Sequence, residues 1–324
     1  MGTIITNIVT LSFYVKHLTL WPEFKHKSLN MKIRKFLSLA LASILAACGN
    51  SQVSSDNAAK KPATITNAPV KIVLASEIKF DKLNPARGDK SPQAGTVWGD
   101  RNGKEATGFI FKPTDGFSSP PHIHNVSYRG IVISGIVHND DPKAEEMWLP
   151  AGSYWTQPKG AVHITSAKGS NTLAYIEIEE GPYLVRPIEK AFDSGEKPVN
   201  VDVSNLVWLD ASGTNWIDKV SDATSGPKIA FLWGKPTDNQ LNGTLIKLPA
   251  GFKGELHNYA DTFGAVVIKG QLGYQQSDKV KTLDPSSYFS TKGERIHKIS
   301  SKADNECWIY VRSKGKLTVT PSTK

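Results

Sequence analysis

The sequence predicts an all-β protein made of two tandem barrels of the jelly-roll kind, and three observations carry that reading. Apolar runs are short and end on turn residues, as in Gly108-Phe109-Ile110-Phe111-Lys112, Gly130-Ile131-Val132-Ile133-Ser134, Ala174-Tyr175-Ile176-Glu177-Ile178, Leu245-Ile246-Lys247 and Ala265-Val266-Val267-Ile268. Neither half carries a long apolar stripe at helical spacing, so helices are not expected to build the core. Finally, the chain repeats itself. Trp98-Gly99 recurs as Trp233-Gly234, Gly108 as Gly243, Gly116-Phe117 as Gly251-Phe252, His122 as His257 and Gly135 as Gly270, all 135 residues apart. Further on, Ser153-Tyr154-Trp155 recurs as Ser287-Tyr288-Phe289 and His163 as His297, at 134. One spacing held across so many Gly, Trp and His positions marks a duplicated fold. Short strands with regular turns close into sandwiches or jelly-roll barrels.

The elements follow in chain order. Met31-Lys32-Ile33-Arg34-Lys35 is a basic start, and the apolar run from Phe36 to Ala47 is too short to stay in a bilayer as a spanning helix. Residues 31–47 therefore read as a signal peptide. Residues 1–30 read as an upstream extension, with translation starting naturally at Met31. The run Leu45-Ala46-Ala47-Cys48-Gly49 resembles a bacterial lipobox. That resemblance implies lipidation of Cys48 and a periplasmic lipoprotein held to a bacterial membrane, the outer membrane for preference. The other reading is a plain secretory signal with an incidental cysteine. Residues 48–68, rich in Ser, Asn, Lys and Pro, read as a flexible linker. The first copy then spans 69–195 and the second 201–320, with the Pro187 to Val201 segment as the crossover.

Charge narrows the partners. The formal net charge is +9, but residues 1–47 carry six Lys and Arg against one acid, which leaves 33 basic and 29 acidic residues beyond them. So small a surplus gives no argument for a nucleic-acid partner. Cys307 is the only cysteine after Cys48, so no internal disulfide is available. Its run, Cys307-Trp308-Ile309-Tyr310-Val311, reads as a buried strand.

The candidate chemistry lies in Pro120-Pro121-His122-Ile123-His124-Asn125-Val126-Ser127-Tyr128. Residues two apart on a strand share a face, so one strand can aim His122 and His124 at one ion. His163 follows in Pro158-Lys159-Gly160-Ala161-Val162-His163. This spacing resembles the two signature motifs of the cupin superfamily. The first, G-x5-H-x-H-x3,4-E-x6-G, reads here as Gly116, His122, His124, Tyr128 and Gly135. The second, G-x5-P-x-G-x2-H-x3-N, reads as Gly152, Pro158, Gly160, His163 and Ala167. Only the glutamate and the asparagine are missing, replaced by Tyr128 and Ala167. The resemblance implies a bicupin of two double-stranded β-helices. It also implies a divalent transition metal (Fe, Zn, Mn, Ni or Cu) held by His122, His124 and His163, with coordination positions left open for water or substrate.

Tyr128 has two readings beside such an ion: a phenolate ligand, or a hydroxyl bonded to a metal-bound water. A free phenol with a pKa of about 10 is a poorer ligand than a carboxylate. Arg129 and Glu177 are the other candidate catalytic residues, with Trp98, Tyr154 and Trp155 as pocket candidates. Glu177 faces away from its neighbours Ile176 and Ile178, either into the barrel or out of it. Trp98 and Tyr154 recur in the second copy, which favours a core role for them. His138, beside Asn139-Asp140-Asp141, reads as part of a hairpin turn. In the second copy the equivalent site keeps His257 and His297 but has Tyr259 for the second histidine and Phe263 in the acid slot. It reads as a degenerate site kept for packing and dimer contacts. Glu255-x-His257 offers another ligand pair there, out of register with the first copy.

Three further runs resemble one particular family: Leu83 to Thr96 with Trp98-Gly99-Asp100, His124 to Gly130, and Gly181-Pro182-Tyr183-Leu184-Val185-Arg186-Pro187. They are similar to the bacterial DUF4437 family of secreted two-cupin proteins, related to ChrR-like cupins, over about residues 70–320. That likeness implies fold and location more than chemistry. Two functions from different classes fit. One is a metal-dependent enzyme, dioxygenase-like or lyase-like, acting on a small organic molecule. The other is a non-catalytic binding or sensing module with a structural metal. A homodimer is an expectation of the superfamily.

Overall fold

The computed structural model describes residues 69–219 and 226–322. The upstream extension, the signal peptide, Cys48 and the linker lie outside the described residues. Among those described, the regular elements are strands joined by turns and short 3-10 segments, as the turn-punctuated apolar runs predict.

Two large antiparallel sheets form the centre of the protein. The sheet of the first barrel runs, in spatial order, Val199–Val201, Tyr154–Gln157, Tyr128–Asp140, Ile164–Glu180, Glu105–Lys112, Gln93–Trp98 and Asp81–Lys82. That of the second runs Lys71–Val73, Tyr288–Lys292, Thr262–Lys269, Cys307–Lys314, Leu241–Leu248 and Lys228–Gly234. A further five-stranded sheet closes the second barrel: Lys279–Leu283, Leu272–Gln276, Arg295–Ser301, Lys253–Asn258 and Leu317–Pro321.

The central strands are apolar on both faces because both are covered. Ile176 and Ile178 point into the first barrel, while Tyr175 joins a cluster shared with the second. Likewise Cys307, Ile309 and Val311 fill the second barrel, while Trp308 and Tyr310 face the first. The shared cluster holds Ile110, Ile131 and Ile133 from one sheet and Leu245, Val266 and Ile268 from the other. The two sheets are therefore packed back to back. Cys307 is fully buried, and its burial pushes the thiol up to about 12, so it behaves as a small core side chain.

The duplication is visible atom by atom. A bulge falls between Thr96 and Trp98 and again between Phe231 and Trp233. After each bulge a tryptophan donates its indole N–H to a tyrosine hydroxyl: Trp98 to Tyr175 at 2.8 Å, and Trp233 to Tyr310 at 2.9 Å. The recurring Gly108 and Gly243 exist for these indoles. A Cβ at either position would lie 2.1 or 1.9 Å from the indole nitrogen.

Two features go beyond the sequence reading. Near the bounds 69–195 and 201–320, a strand at the start of the first copy and one in the crossover each pair with a strand of the other barrel. Lys71–Val73 pairs with Tyr288–Ser290, and Val199–Val201 with Tyr154–Thr156. The same serine then holds each strap, Ser287 Oγ accepting from Ala75 N–H and Ser153 Oγ from Val203 N–H, both at 3.0 Å. The crossover is thus an exchanged strand as well as a linker, and the barrels are tied together at both ends. The second concerns His138. It does not sit in a turn: the strand Tyr128–Asp140 carries it, and Ala144 N–H bonds Asp141 O in the loop beyond. Asn139 imitates a turn residue because its side chain is satisfied by Tyr128, Thr165 and Gln157, distant partners that the local sequence does not reveal.

Candidate metal centre

The site assembles where two chain segments meet as neighbouring strands. His122 and His163 are direct cross-strand partners, each N–H bonding the other's carbonyl at 3.0 Å. His124 lies two residues on, in the strand Ile123–His124, and so on the same face. All three are buried, and one ligand nitrogen from each falls within 4.8 Å of the others. The ring centroids of His163 lie 4.3 Å from His122 and 5.2 Å from His124.

The supporting shell fixes ring orientation. His122 Nδ1 lies 2.9 Å from the Pro120 carbonyl, and His163 Nδ1 lies 3.2 Å from the Ala161 carbonyl. A carbonyl accepts only from N–H, so both rings are held with the proton on Nδ1 and the Nε2 lone pair free. His124 differs. Its Nε2 meets the Tyr183 hydroxyl at 3.2 Å, and its buried Nδ1 lacks a well-formed hydrogen bond, with only the Leu184 main chain against it. A buried imidazole nitrogen without a good partner carries a desolvation cost that a metal ion would relieve.

Burial also sets the charge state. It is the main cause lowering all three imidazoles below 6.5. His124 falls well below, with His163 and His122 adding like-charge repulsion. His163 is pushed down to about 3, with His122 the second cause. At neutral pH the site therefore presents three neutral imidazoles, the form in which histidine ligates. The donor set fits a divalent first-row transition ion.

Tyr128 sits at the edge of this group. Its hydroxyl donates to Asn139 Oδ1 at 2.8 Å and lies 3.4 Å from His163 Nε2. Asn139 Oδ1 also accepts from Thr165 Oγ1 at 2.7 Å, and its amide donates to Gln157 Oε1 at 2.9 Å. Gln157 in turn donates to the Ala161 carbonyl at 3.2 Å, the same carbonyl that faces His163 Nδ1. Tyr128, Thr165, Asn139 and Gln157 thus form one chain of hydrogen bonds ending at the residue that orients His163. Burial raises the Tyr128 phenol well above its ordinary value, so it stays a neutral donor in this chain.

The histidines open into a cavity of about 700 Å³. Tyr128, Trp155, Ile176, Tyr183, Phe111 and Phe117 line it, with Ser119, Thr165, Asn84 and Arg87 among its polar groups. Trp155 belongs there as the sequence suggests, but Trp98 and Tyr154 face the second barrel.

Arg129 and Glu177 are also placed elsewhere. Because Ile176 lines the cavity, strand alternation turns Glu177 outward, where it is 1% exposed beneath the second barrel. Its carboxylate accepts from Tyr310 Oη at 2.8 Å and from Tyr175 Oη at 3.1 Å, with Arg129 and Arg312 at 3.5 and 3.7 Å. Arg129 lies over the Trp233 ring at 3.8 Å and pairs with Glu179, which also receives both arms of Arg312. The two candidates are brought together, but at the joint between barrels and not with the histidines.

Sequence reasoning did not single out Tyr183, Asn139, Gln157 or Arg87. Tyr183 stacks on His124 at 4.4 Å between centroids. Its only sequence signal is its place in the run Gly181-Pro182-Tyr183.

In the second barrel the equivalent residues separate. His257 pairs across the sheet with Ile296, and His297 with Leu256. The two histidines are therefore one register step apart and point to opposite faces. His297 is buried, with Phe263 stacked on it at 4.7 Å and Nδ1 bonded to Tyr274 Oη at 2.8 Å. His257 instead meets Glu294 at 2.7 Å, and Tyr259 is 47% exposed. Among the described residues, the metal-ligating group found is that of His122, His124 and His163.

Residues 71–320 match the model of DUF4437, a domain of unknown function. The chain belongs to the DUF4437 family. No curated protein sequence matches this DUF4437 chain. Among solved structures it resembles a protein provisionally described as a dioxygenase from Nostoc punctiforme, with TM-score 0.58 and 13% identity over 80% of this chain and 88% of that one. It also resembles the Ylba protein of E. coli, with TM-score 0.52 and 12% identity over 78% and 94%. An oxalate decarboxylase from Lactobacillus farciminis aligns at TM-score 0.48 and 11% identity over 79% and 89%. At such identities the likeness shows the fold, and the DUF4437 chain folds as two jelly-roll barrels.

Proposed function

We propose that this protein is a metal-dependent enzyme that acts on a small organic molecule in the first barrel, and that it works in the periplasm, held to the membrane through Cys48. The observation that carries the enzymatic reading is the opening of three neutral, oriented imidazoles onto a cavity of about 700 Å³. A structural metal site is closed by its ligands, whereas three protein ligands beside a cavity leave room for substrate. The three histidines would hold the ion, and a divalent ion so held supplies Lewis acidity and, for iron, manganese or copper, redox chemistry.

The other roles belong to the chain itself. Pro120 and Ala161 fix the imidazole tautomers through their carbonyls. Tyr128 offers a neutral hydroxyl whose proton rests toward Asn139. Tyr183, stacked on His124, places a second hydroxyl at that ring. Phe111, Phe117, Trp155 and Ile176 keep the cavity apolar, which strengthens any polar contact made inside it.

Oxygen uptake and product analysis on the purified, metal-assayed protein, with a panel of small organic molecules, test this reading. The expected result is turnover by the wild type that is lost in His122→Ala and altered in Tyr128→Phe. Bound metal with ligand binding and no turnover on any compound would instead favour a binding or sensing module. A wild type that takes up no metal would sink the enzymatic reading.

A further inference from the structure

The cavity of the first barrel has a charge pattern that narrows its ligand. Among the described residues that line it, Arg87 is the only charged side chain, and none is Asp or Glu. Among the described residues, the Arg87 guanidinium has no hydrogen-bond or ion-pair partner. It is half-buried and lies over the Phe117 ring at 5.3 Å.

The chain presents it there on purpose-built backbone. Asn84 Oδ1 accepts from Ala86 N–H at 3.2 Å, Arg87 N–H bonds the Asn84 carbonyl at 3.0 Å, and Gly88 follows at φ +57°. A cation kept against an aromatic wall, with none of the protein's own carboxylates on it, is a receptor for an anion from outside.

We propose that the cavity takes an organic acid whose carboxylate pairs with Arg87, while its apolar body lies along Phe111 and Phe117 and its far end reaches the histidines. This names the substrate class of the site and rests on the first barrel being the working one. Arg87 is a specificity-determining residue in this account. Its planar fork suits a carboxylate in two parallel hydrogen bonds.

The test is calorimetry with a series of aromatic and aliphatic acids, each paired with its own amide. It is run on metal-loaded and metal-stripped wild type, Arg87→Gln and Arg87→Lys, with metal content assayed on every sample. The expected result is a preference for acid over amide of about tenfold or more, present with and without metal. Arg87→Gln abolishes that preference without changing amide binding or metal content, and Arg87→Lys restores part of it. Acid and amide binding alike across the whole series, or a preference that survives Arg87→Gln, would overturn the proposal. A preference that depends on Arg87 in a protein that takes up no metal would leave this inference standing and remove the metal-dependent one.

Discussion

The two barrels are the same fold built twice, yet among the described residues only the first gathers a metal-ligating group. In the first, His122 and His163 are 41 residues apart and meet as direct cross-strand partners. In the second, His257 and His297 are 40 apart, and each faces the other's neighbour. One residue fewer between them shifts the register by one step, and one step turns a side chain to the opposite face of a sheet. The barrel tolerates the loss because its core depends on apolar volume, which Phe263, Tyr274 and Phe289 supply around His297. A metal site does not tolerate it, because its ligands must converge on a point. Duplication therefore frees one copy to become scaffold, and the difference is written in spacing as much as in residue type.

Substitutions can break that comparison, and the largest expected effects are in the scaffold. Phe263→Ala empties a fully packed position and should cost about 3–5 kcal/mol of stability, measured by denaturant unfolding, with metal content unchanged. Glu177→Leu leaves the hydroxyls of Tyr175 and Tyr310 without their buried acceptor and takes a carboxylate from beside Arg129 and Arg312, which keep Glu179. Buried donors left unsatisfied cost about 1–3 kcal/mol each. The expected outcome is a less stable protein, or one whose barrels unfold in two steps, that still takes up metal. Loss of metal with retained stability would return Glu177 to the site.

A pH-dependent effect follows from the buried histidines. His163 and His297 are both held to about 3, so between pH 3 and 6.5 the unfolded chain binds protons that the folded one refuses. Stability should therefore fall as the pH drops below about 6.5. His297→Leu should remove about one proton from that slope without touching the metal site. An unchanged slope, measured by unfolding at a series of pH values, would contradict the buried neutral state of His297. Smallest of all, Tyr128→Phe removes one donor to Asn139, which keeps Thr165, and should cost about 1 kcal/mol. If instead metal uptake is lost with it, the hydroxyl is a ligand.

Much of this was legible in the residues. The spacing of Gly, Trp and His gave the duplicated all-β fold, and the alternation of His122 and His124 with the later His163 gave the cluster. What stayed hidden depends on partners far along the chain. Glu177 could face either side of its strand, and only the packing of a second barrel against it decides. The exchange of Lys71–Val73 and Val199–Val201 leaves no local mark, because a strand reads the same whichever sheet it joins. Asn139 imitates a turn residue until Tyr128, Thr165 and Gln157 are brought to it. Arg87 lies 35 residues before His122 and reaches the cavity only through the fold.

The central claim is that one barrel of the pair holds a metal. Titrating the metal-stripped protein with Co²⁺ and following its visible absorption counts the sites and reports their ligands. The account predicts one ion per chain, lost in His163→Ala and kept in His297→Ala. Two ions per chain, or an ion lost in His297→Ala and kept in His163→Ala, would contradict it.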